Sequence, residues 1–457
     1  MSNDFFSDLL ASISERGRNL LRLGPASVDP KQNASDLIEL CGELLSGRGE
    51  ASGTAIARGV FDRYRKLDEA GRLGFFETLA QNYGPDRDKL DKAVTAWSAN
   101  PTEAGAGELH FASEPQRQEL FRRLNRAPGA TRELVKMRED LLDLKNDNKD
   151  LNAVDRDVVH LLSSWFNRGF LVLRRIDWST PAIILEKVIK YEAVHEIHDW
   201  NDLRRRIDPV DRRCYAFFHP ALVDEPLIFV EVALTETIPG AIAPLLAEDR
   251  APVPIDRART AVFYSISNCQ RGLGGISFGN FLIKQVVEEL RRELPKLDTF
   301  VTLSPVPGFM KWLKRADDLH LSDEERALIA RLDDHNWIND DALALQLKPV
   351  MEQVAAHYFL KAKSGRGGPV DSVARFHLGN GARLERIDWL GDTSPKGLRE
   401  SASLMVNYLY RLDDIEKNHE AYADHYEIAA SSAVKKLLKT EGSGRRLLDN
   451  MRLTRAE

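Results

Sequence analysis

The hydrophobic period of this chain changes near residue 165, and this change constrains the fold more than any other feature. Before it, apolar residues recur at spacings of three and four, as in Leu37, Leu40 and Leu44, with no clear strand between the helical stretches. After it, short runs rich in β-branched and aromatic residues alternate with helical segments. These runs cover residues 170–176, 213–218, 227–234 and 261–266. The sequence therefore predicts an α+β chain with an all-α helical bundle over residues 1–165 and a mixed α/β domain over residues 166–457.

Charge and composition exclude several classes of partner. The chain carries 70 acidic and 64 basic residues, so no basic field indicates a nucleic-acid partner. No apolar run approaches the roughly 20 residues that span a bilayer, and the N-terminal residues lack the apolar core of a secretion signal. Cys41, Cys214 and Cys269 lie far apart without metal-ligand spacing, which is typical of reduced thiols. We therefore expect a cytoplasmic protein with neither a membrane nor a nucleic-acid partner.

Two patterns resemble ligand sites but favour structural roles. Gly47, Gly49 and Gly53 form a GxGxxxG string like a dinucleotide fingerprint, but it follows a helical pattern rather than a strand. A loop between helices is the better interpretation. His195 and His198 form an HxxH pattern, but no cysteine or acidic residue completes zinc-site spacing. We therefore expect no metal site.

The segment 265–312 contains the strongest candidate for a ligand site. It predicts a strand, a glycine-rich loop, an amphipathic helix, a second strand and a Ser-Pro-x-Pro-Gly turn. Glycines without Cβ atoms let backbone N–H groups approach a ligand, and the N-terminus of the next helix presents positive partial charge. The pattern is compatible with a pyrophosphate-bearing nucleotide or coenzyme, although glycines also serve tight turns. The loop does not end in Gly-Lys-Ser/Thr, which disfavours ATP hydrolysis.

Five strings in the second half resemble the malonyl-CoA decarboxylase family. In chain order they are YEAVHEIHDWNDLRRRID, SISNCQRGLGGISFGNFLIKQVVEELRREL, LSPVPGFMKWL, RFHLGNGA and LMVNYLY. The resemblance implies that the helical half forms a homo-oligomer, a dimer or a tetramer. It also implies a catalytic domain similar to the GNAT acetyltransferases, in which the loop after the fourth strand binds the CoA pyrophosphate. The implied substrate is malonyl-CoA, which is converted to acetyl-CoA and CO₂.

The same resemblance implies the site residues. Ser304, in Ser-Pro-Val-Pro-Gly-Phe, and His377, in Phe-His-Leu-Gly-Asn-Gly-Ala, fall where the family has its active-site serine and histidine. From the residues alone, a serine before proline is most often a turn former, and a lone histidine at a strand end is usually structural. The implied CoA loop comprises Gly274, Gly275, Ile276, Ser277, Phe278, Gly279 and Asn280. It departs from the acetyltransferase pattern Q/R-x-x-G-x-G/A and keeps only its last glycine, so backbone amides would have to do the binding.

Four further residues are secondary candidates. Asn380 could orient the imidazole of His377, although Asn-Gly is also a common turn dipeptide. Tyr410 could reach a carboxylate with its phenol, although a core tyrosine with a satisfied hydroxyl fits equally well. Asn407 belongs to the same Asn-Tyr-Leu-Tyr string. Arg271 could meet a CoA phosphate or could simply be solvated.

The reaction that the resemblance implies requires few catalytic groups. When CO₂ leaves malonyl-CoA, the electron pair flows into the thioester and forms an enolate, so we expect no cofactor. Ser304 and His377 would orient the substrate, stabilise the enolate and relay the proton. Two alternatives stay open, an acyl-CoA-dependent N-acyltransferase and a non-catalytic acyl-CoA-binding oligomeric sensor. A serine hydrolase is disfavoured because no Gly-x-Ser-x-Gly surrounds Ser304.

Overall fold

The computed structural model describes residues 30–46, 50–276, 282–316, 319, 321–365 and 367–438. Several sequence predictions concern residues outside these ranges. They are the N-terminal residues examined for a secretion signal, Gly47 and Gly49 of the GxGxxxG string, and the loop residues Ser277, Phe278, Gly279 and Asn280. No helix within the described ranges is long and apolar enough to cross a membrane.

The chain divides into two compact units. The first contains Met1–Leu171, Phe218–Glu225 and Gln270–Ser277, and the second contains Val172–Phe217, Pro226–Cys269 and Phe278–Glu457. Two short segments of the second half therefore group with the helical residues. The predicted domain boundary between residues 165 and 166 stays a prediction.

Helices dominate the first unit. Leu37, Leu40 and Leu44 are all buried, as the helical period predicts. Asp86 caps one helix, where its carboxylate accepts a hydrogen bond from the Lys89 N–H at 3.2 Å. In the described part of this unit the α-helices are α1 (Pro30–Leu45), α2 (Glu50–Tyr64), α3 (Glu69–Asn82), α4 (Arg87–Ala99), α5 (Glu103–Ser113), α6 (Gln116–Leu124), α7 (Ala130–Leu144) and α8 (Asn152–Trp165).

The second unit is built on a mixed sheet, and its four predicted strand runs are confirmed as β1 to β4. Its strands are β1 (Val172–Ile176), β2 (Arg212–Phe218), β3 (Pro226–Thr235), β4 (Thr260–Asn268), β5 (Thr299–Thr302), β6 (Ser304–Pro305), β7 (Arg383–Asp388) and β8 (Met405–Leu409). Its helices are α9 (Ala182–Tyr191), α10 (Trp200–Ile207), α11 (Ala243–Leu246), α12 (Leu282–Glu293), α13 (Phe309–Leu313), α14 (Asp323–Ala330), α15 (Asp341–Leu360), α16 (Ser372–Gly379), α17 (Pro395–Ser401), α18 (Ile415–His425) and α19 (Ser432–Leu438).

The strand order is β1-β2-β3-β4-β5-β8-β6, and β7 also pairs with β8. Strands β3 and β4 are antiparallel, whereas β4 and β5 are parallel. A parallel pair requires a crossover, which the amphipathic helix α12 supplies by burying its apolar face. Helices followed by this mixed sheet confirm the predicted α+β fold class. The likeness of the second domain to the GNAT acetyltransferases stays a prediction.

Strands β5 and β6 lie end to end along β8. Val301 pairs with Leu409, and Ser304 pairs with Val406, so both strands follow one antiparallel register. Because the register does not slip at the residue between the two strands, side chains keep alternating between the faces of the sheet along the whole stretch.

Gly381 makes the turn from α16 into β7. Its φ is +79°, and an added Cβ would lie 2.2 Å from the carbonyl oxygen of Ile415. Two residues earlier, a Cβ added to Gly379 would meet only the side chain of Tyr422, at 3.6 Å. The two glycines therefore differ sharply in whether the fold tolerates a side chain.

We expect Gly381→Ala to lower the free energy of unfolding by about 2 kcal/mol or more, because left-handed backbone alone costs an L residue about 1–2 kcal/mol and the Ile415 carbonyl must also move. Gly379→Ala is the matched control and should stay within about 1 kcal/mol of the parent. Urea denaturation followed by circular dichroism measures both. Equal stability of the two variants would contradict the turn geometry.

Candidate active site

Alternation along β5, β6 and β8 collects hydroxyl groups on one face of the sheet. Thr302 and Ser304 are two residues apart and therefore share a face. Tyr408 lies opposite Thr302 in the antiparallel register, and Tyr410 continues the pairing because its N–H donates to the Phe300 carbonyl at 2.8 Å. All four hydroxyl-bearing residues are buried.

A short helix brings His377 to this face. Asp371 caps α16, where its carboxylate accepts a hydrogen bond from the Ala374 N–H at 2.7 Å. The helix buries Ala374, His377 and Leu378, the spacing of one helical face. The expectation that His377 stands at a strand end is therefore wrong. The cap at Asp371 and the turn at Gly381 confine the segment to two helical turns.

The imidazole of His377 is held at both nitrogens and on one face. Its Nε2 lies 3.3 Å from the Ser304 Oγ, and its Nδ1 lies 2.8 Å from the Tyr410 hydroxyl. Its ring stacks on Tyr408 with a centroid separation of 4.6 Å and an angle of 24° between the planes. The Ser304 hydroxyl also lies 2.9 Å from the Thr302 Oγ1, which accepts a hydrogen bond from the Tyr408 N–H. The structure thus joins Ser304, His377 and Tyr410 in one hydrogen-bonded chain.

Burial keeps the hydrogen-bonded side chains of His377 and Tyr410 uncharged. It lowers the pKa of His377 to about 3 and raises the pKa of Tyr410 well above its usual value. A neutral imidazole has one N–H and one lone pair, so two arrangements fit the distances. In one, Tyr410 donates to Nδ1 and Nε2–H donates to Ser304. In the other, Ser304 donates to Nε2 and Nδ1–H donates to Tyr410. The imidazole is neutral in both arrangements, and they differ in which ring nitrogen carries the proton.

Two of the secondary candidates do not join the pair. The Asn380 amide donates to the Phe376 carbonyl at 2.6 Å, so it caps α16 and Tyr410 orients the imidazole instead. Asn407 belongs to the opposite face of the sheet by strand alternation. Its amide donates to the carbonyls of Thr302 at 2.8 Å and Pro239 at 3.3 Å. Asn407 therefore braces backbone segments rather than contacting Ser304 or His377.

Sequence reasoning missed Thr302 and Tyr408, which contact Ser304 and His377 and hold them in place. Thr302 accepts the hydrogen bond from the Tyr408 N–H, and Tyr408 carries the stacked imidazole. The signal was available in principle. A hydroxyl residue stands two positions before Ser304, and Tyr408 stands two positions before Tyr410, so each pair shares a strand face.

The described part of the glycine-rich loop belongs to the first unit. A 3₁₀ turn, Arg271–Leu273, precedes the exposed Gly274 and Gly275 and the buried Ile276. The Arg271 guanidinium makes two hydrogen bonds to the Asp143 carboxylate, at 2.5 and 2.8 Å, and both side chains are solvent-exposed.

Gly272 has a packing role. A Cβ added there would lie 2.0 Å from the Val135 carbonyl oxygen on α7. At this position the close approach of a helix, not a ligand, requires glycine.

The lowered pKa of His377 makes stability depend on pH. In the unfolded chain a histidine titrates near 6.5, so between that pH and about 3 the unfolded state binds a proton that the folded state does not. The contribution of the neutral imidazole to the free energy of unfolding is complete above pH 6.5 and is lost as the pH falls below that value. We expect the free energy of unfolding to fall more steeply for the parent than for His377→Gln between pH 6.5 and 4.5, by up to about 1.4 kcal/mol per pH unit.

Urea denaturation at several pH values checks this difference in slope. His195, whose pKa burial lowers to about 4, contributes the same background to both proteins. Parallel pH dependences would show that His377 titrates normally in the folded state.

Sequence models of two domains match the chain. The malonyl-CoA decarboxylase N-terminal domain matches residues 83–166, and the malonyl-CoA decarboxylase C-terminal domain matches residues 169–448. The mitochondrial malonyl-CoA decarboxylase of Anser anser anser is 36% identical over 412 residues, which is 82% of this chain and 81% of the relative. The Mus musculus protein of the same name is 34% identical over 412 residues, 82% of this chain and 83% of its own length.

Solved structures agree. The crystal structure of malonyl-CoA decarboxylase from Rhodopseudomonas palustris superposes with a TM-score of 0.86 at 59% identity, covering 88% of this chain and 99% of that one. The structure from Agrobacterium vitis gives a TM-score of 0.85 at 56% identity with the same coverage. The resemblance of the sequence motifs is thereby confirmed. This chain belongs to the malonyl-CoA decarboxylase family and is an enzyme of the carboxy-lyase class.

Proposed function

We propose that this enzyme converts malonyl-CoA to acetyl-CoA and CO₂, with Ser304 and His377 as its catalytic pair. Family membership supports the substrate. The observation that carries the site assignment is the buried chain from Ser304 through His377 to Tyr410, with contacts of 3.3 and 2.8 Å. The three cysteines are buried and form no disulfide with one another, which is consistent with the proposed cytoplasmic location.

Decarboxylation requires a group that stabilises the negative charge left when CO₂ departs, and a donor for one proton. The bond between the α-carbon and the carboxylate carbon breaks, its electron pair passes into the thioester, and CO₂ leaves an enolate. The thioester is its own electron sink, so the proposal includes no cofactor. The α-carbon then takes one proton to give acetyl-CoA. A preorganised hydrogen-bond donor to the enolate oxygen is typically worth about 3 kcal/mol in such a site.

Ser304 is proposed to present its O–H group to the substrate, with His377 regenerating it. A neutral serine is a weak acid and a weak base unless an adjacent imidazole exchanges protons with it. Ser304 gives its proton to the α-carbon, Nε2–H of His377 passes its proton to Oγ, and Tyr410 passes its proton to Nδ1. The negative charge of the enolate thereby moves to the Tyr410 oxygen. A proton from solvent restores the Tyr410 hydroxyl when the product leaves. Tyr410 thus acts as a positioning and relay group behind the histidine.

The glycine-rich loop, residues 274–280, is proposed to bind the CoA pyrophosphate through backbone amides. Gly275 has a φ of +79°, and no atom of the described residues lies within 4 Å of a Cβ added there. An anion can therefore approach this stretch of backbone. Arg271 is available to a phosphate if it exchanges its exposed pairing with Asp143, and exposed ion pairs of this kind are weak.

The deciding experiment is to supply purified enzyme with malonyl-CoA and to measure CO₂ and acetyl-CoA. Equimolar release of both is the expected result. Transfer of an acyl group to an added amine without CO₂ release would point to an N-acyltransferase. Binding of acyl-CoA with no turnover would point to a sensor. Either outcome would overturn the proposed reaction.

Ser304→Ala is expected to lower kcat roughly 10²–10³-fold, and His377→Ala roughly 10²–10⁴-fold, because one removes a donor and the other a proton-transfer group. The double variant should be little worse than the poorer single variant, since the two residues act as a unit. Ser401→Ala is the matched control. It removes a buried serine hydroxyl whose hydrogen bonds within the described ranges go to the Gly397 and Leu404 carbonyls. Steady-state kinetics on folded protein provide the measurement, and near-normal turnover by both active-site variants would refute the assignment.

The helical unit is proposed to assemble into a homo-oligomer, a dimer or a tetramer. None of the residues of α4 or α5 is buried. Phe111 is 73% exposed, and Val94 and Trp97 are also exposed. Apolar side chains on two neighbouring helices are stabilised when a second copy covers them.

Combining Trp97→Glu and Phe111→Glu is expected to reduce the assembly to smaller species, because charge on a covered apolar surface is costly. Sedimentation velocity gives the mass of each form. Val223→Glu is the control, since Val223 is also exposed but lies away from α4 and α5 in sequence. An unchanged mass for the double variant would remove these helices from the proposed interface.

A further inference from the structure

We infer that Arg138, on α7, is a positioning residue for CoA binding because it orients the backbone of residues 272–275, where the glycine-rich loop begins. This inference rests on the phosphate-binding role proposed for that loop. All of the residues that carry it belong to the first unit.

Arg138 holds the loop through two carbonyl groups. Its Nη1 donates to the Gly272 oxygen at 2.6 Å and to the Gly274 oxygen at 2.9 Å. Its Nε donates to the Asp155 carboxylate at 2.8 Å, and the Arg138 side chain is 3% exposed. One buried guanidinium therefore links helix α8, which carries Asp155, to the loop.

The opposite charges of Arg138 and Asp155 stabilise the contact between α8 and the loop. Burial alone would raise the pKa of Asp155, but hydrogen bonds from Lys145 and Arg138 hold it below its usual value. Asp155 is therefore ionised and compensates the buried guanidinium. Arginine suits this position because its planar fork reaches one carboxylate and two carbonyls together, which the single ammonium of lysine does not.

The hydrogen bond to Gly274 determines where one loop N–H group points. In a planar trans peptide, the carbonyl of Gly274 and the N–H of Gly275 point in opposite directions. Because Arg138 binds the carbonyl, the Gly275 N–H points away from it. This N–H has no hydrogen-bond acceptor among the described residues, and Gly275 is exposed. Arg138 thereby holds an exposed N–H donor in position for an anion.

The neighbouring groups prevent the loop from relaxing in other ways. The Leu273 N–H donates to the Gln270 carbonyl at 2.9 Å, which closes the 3₁₀ turn. Gly272 lies against the Val135 carbonyl, where a side chain would not fit. The Ile276 N–H donates to the Leu273 carbonyl at 3.0 Å, so the turn itself does not depend on Arg138. Loss of Arg138 removes the hydrogen bond that fixes the Gly274 carbonyl within this turn, and a phosphate must then bear the cost of orienting the Gly274–Gly275 peptide.

Arg138→Met is expected to raise KM for malonyl-CoA, and the Kd of CoA, roughly tenfold to a hundredfold, since a hydrogen bond to a charged group is typically worth about 1.5–3 kcal/mol. We expect kcat to stay within about threefold of the parent, because the chemical step uses other residues. Malonyl-pantetheine, which lacks the pyrophosphate, should show no change in kcat/KM. This substrate separates a phosphate-specific effect from general damage.

Arg117→Met is the matched control. Arg117 is a buried arginine in the same unit and donates to the Asp157 carboxylate at 2.5 Å, but its recorded hydrogen bonds go to Asp157 and the Leu79 carbonyl. Both variants lose a buried ion pair, so both are expected to be less stable, whereas only Arg138→Met should raise KM. If Arg138→Met does not fold, Arg138→Lys keeps the charge and should still raise KM.

Two results would overturn the inference. One is an equal KM for the Arg138 and Arg117 variants, and the other is an equal loss on malonyl-CoA and malonyl-pantetheine. Failure of the proposed function is separable, because in that case the parent enzyme itself would neither decarboxylate malonyl-CoA nor bind CoA.

Discussion

The antiparallel register between β8 and the continuous pair β5–β6 is the constraint on which the candidate site depends. It brings Thr302 and Ser304 to the same face as Tyr408 and Tyr410, from segments about a hundred residues apart. A slip of one residue would turn all of these side chains to the opposite face, into the apolar core that contains Leu303. Helix α16 then needs only to bring one imidazole onto that face.

Burial and hydrogen bonding together decide which chemistry the site can perform. A solvent-exposed imidazole would be partly protonated near neutral pH, but the desolvated ring of His377 stays neutral between Ser304 and Tyr410. Stacking on Tyr408 restricts rotation of the His377 ring. The Tyr408 N–H also donates to Thr302 Oγ1, which restricts rotation of the Thr302 side chain. The proton transfer proposed above relies on this arrangement of neutral, hydrogen-bonded groups.

The sequence predicted the architecture better than it predicted the neighbours of each side chain. The strand runs and the crossover helix follow from local patterns, whereas Ser304 and His377 were predicted only from the resemblance to a family. The helix around His377 was missed because Val, Phe and His in a short run also fit a strand. The cap at Asp371 is the local feature that favours a helix over a strand here. The pairing of Thr302 with Tyr408 and the contact of Gly272 with Val135 join distant segments, so no local period contains them.

The absence of charge along the hydroxyl–imidazole chain has a consequence for the response to ionic strength. Ser304, His377 and Tyr410 interact as dipoles over hydrogen-bond distances within the protein interior, where dissolved ions do not reach them. The glycine-rich loop, in contrast, is solvent-exposed at Gly274 and Gly275, and its proposed ligand is a multivalent anion. Since mobile ions screen exposed charges over about 10 Å at 0.1 M salt, salt would weaken capture of the coenzyme while leaving the bond-breaking step largely untouched.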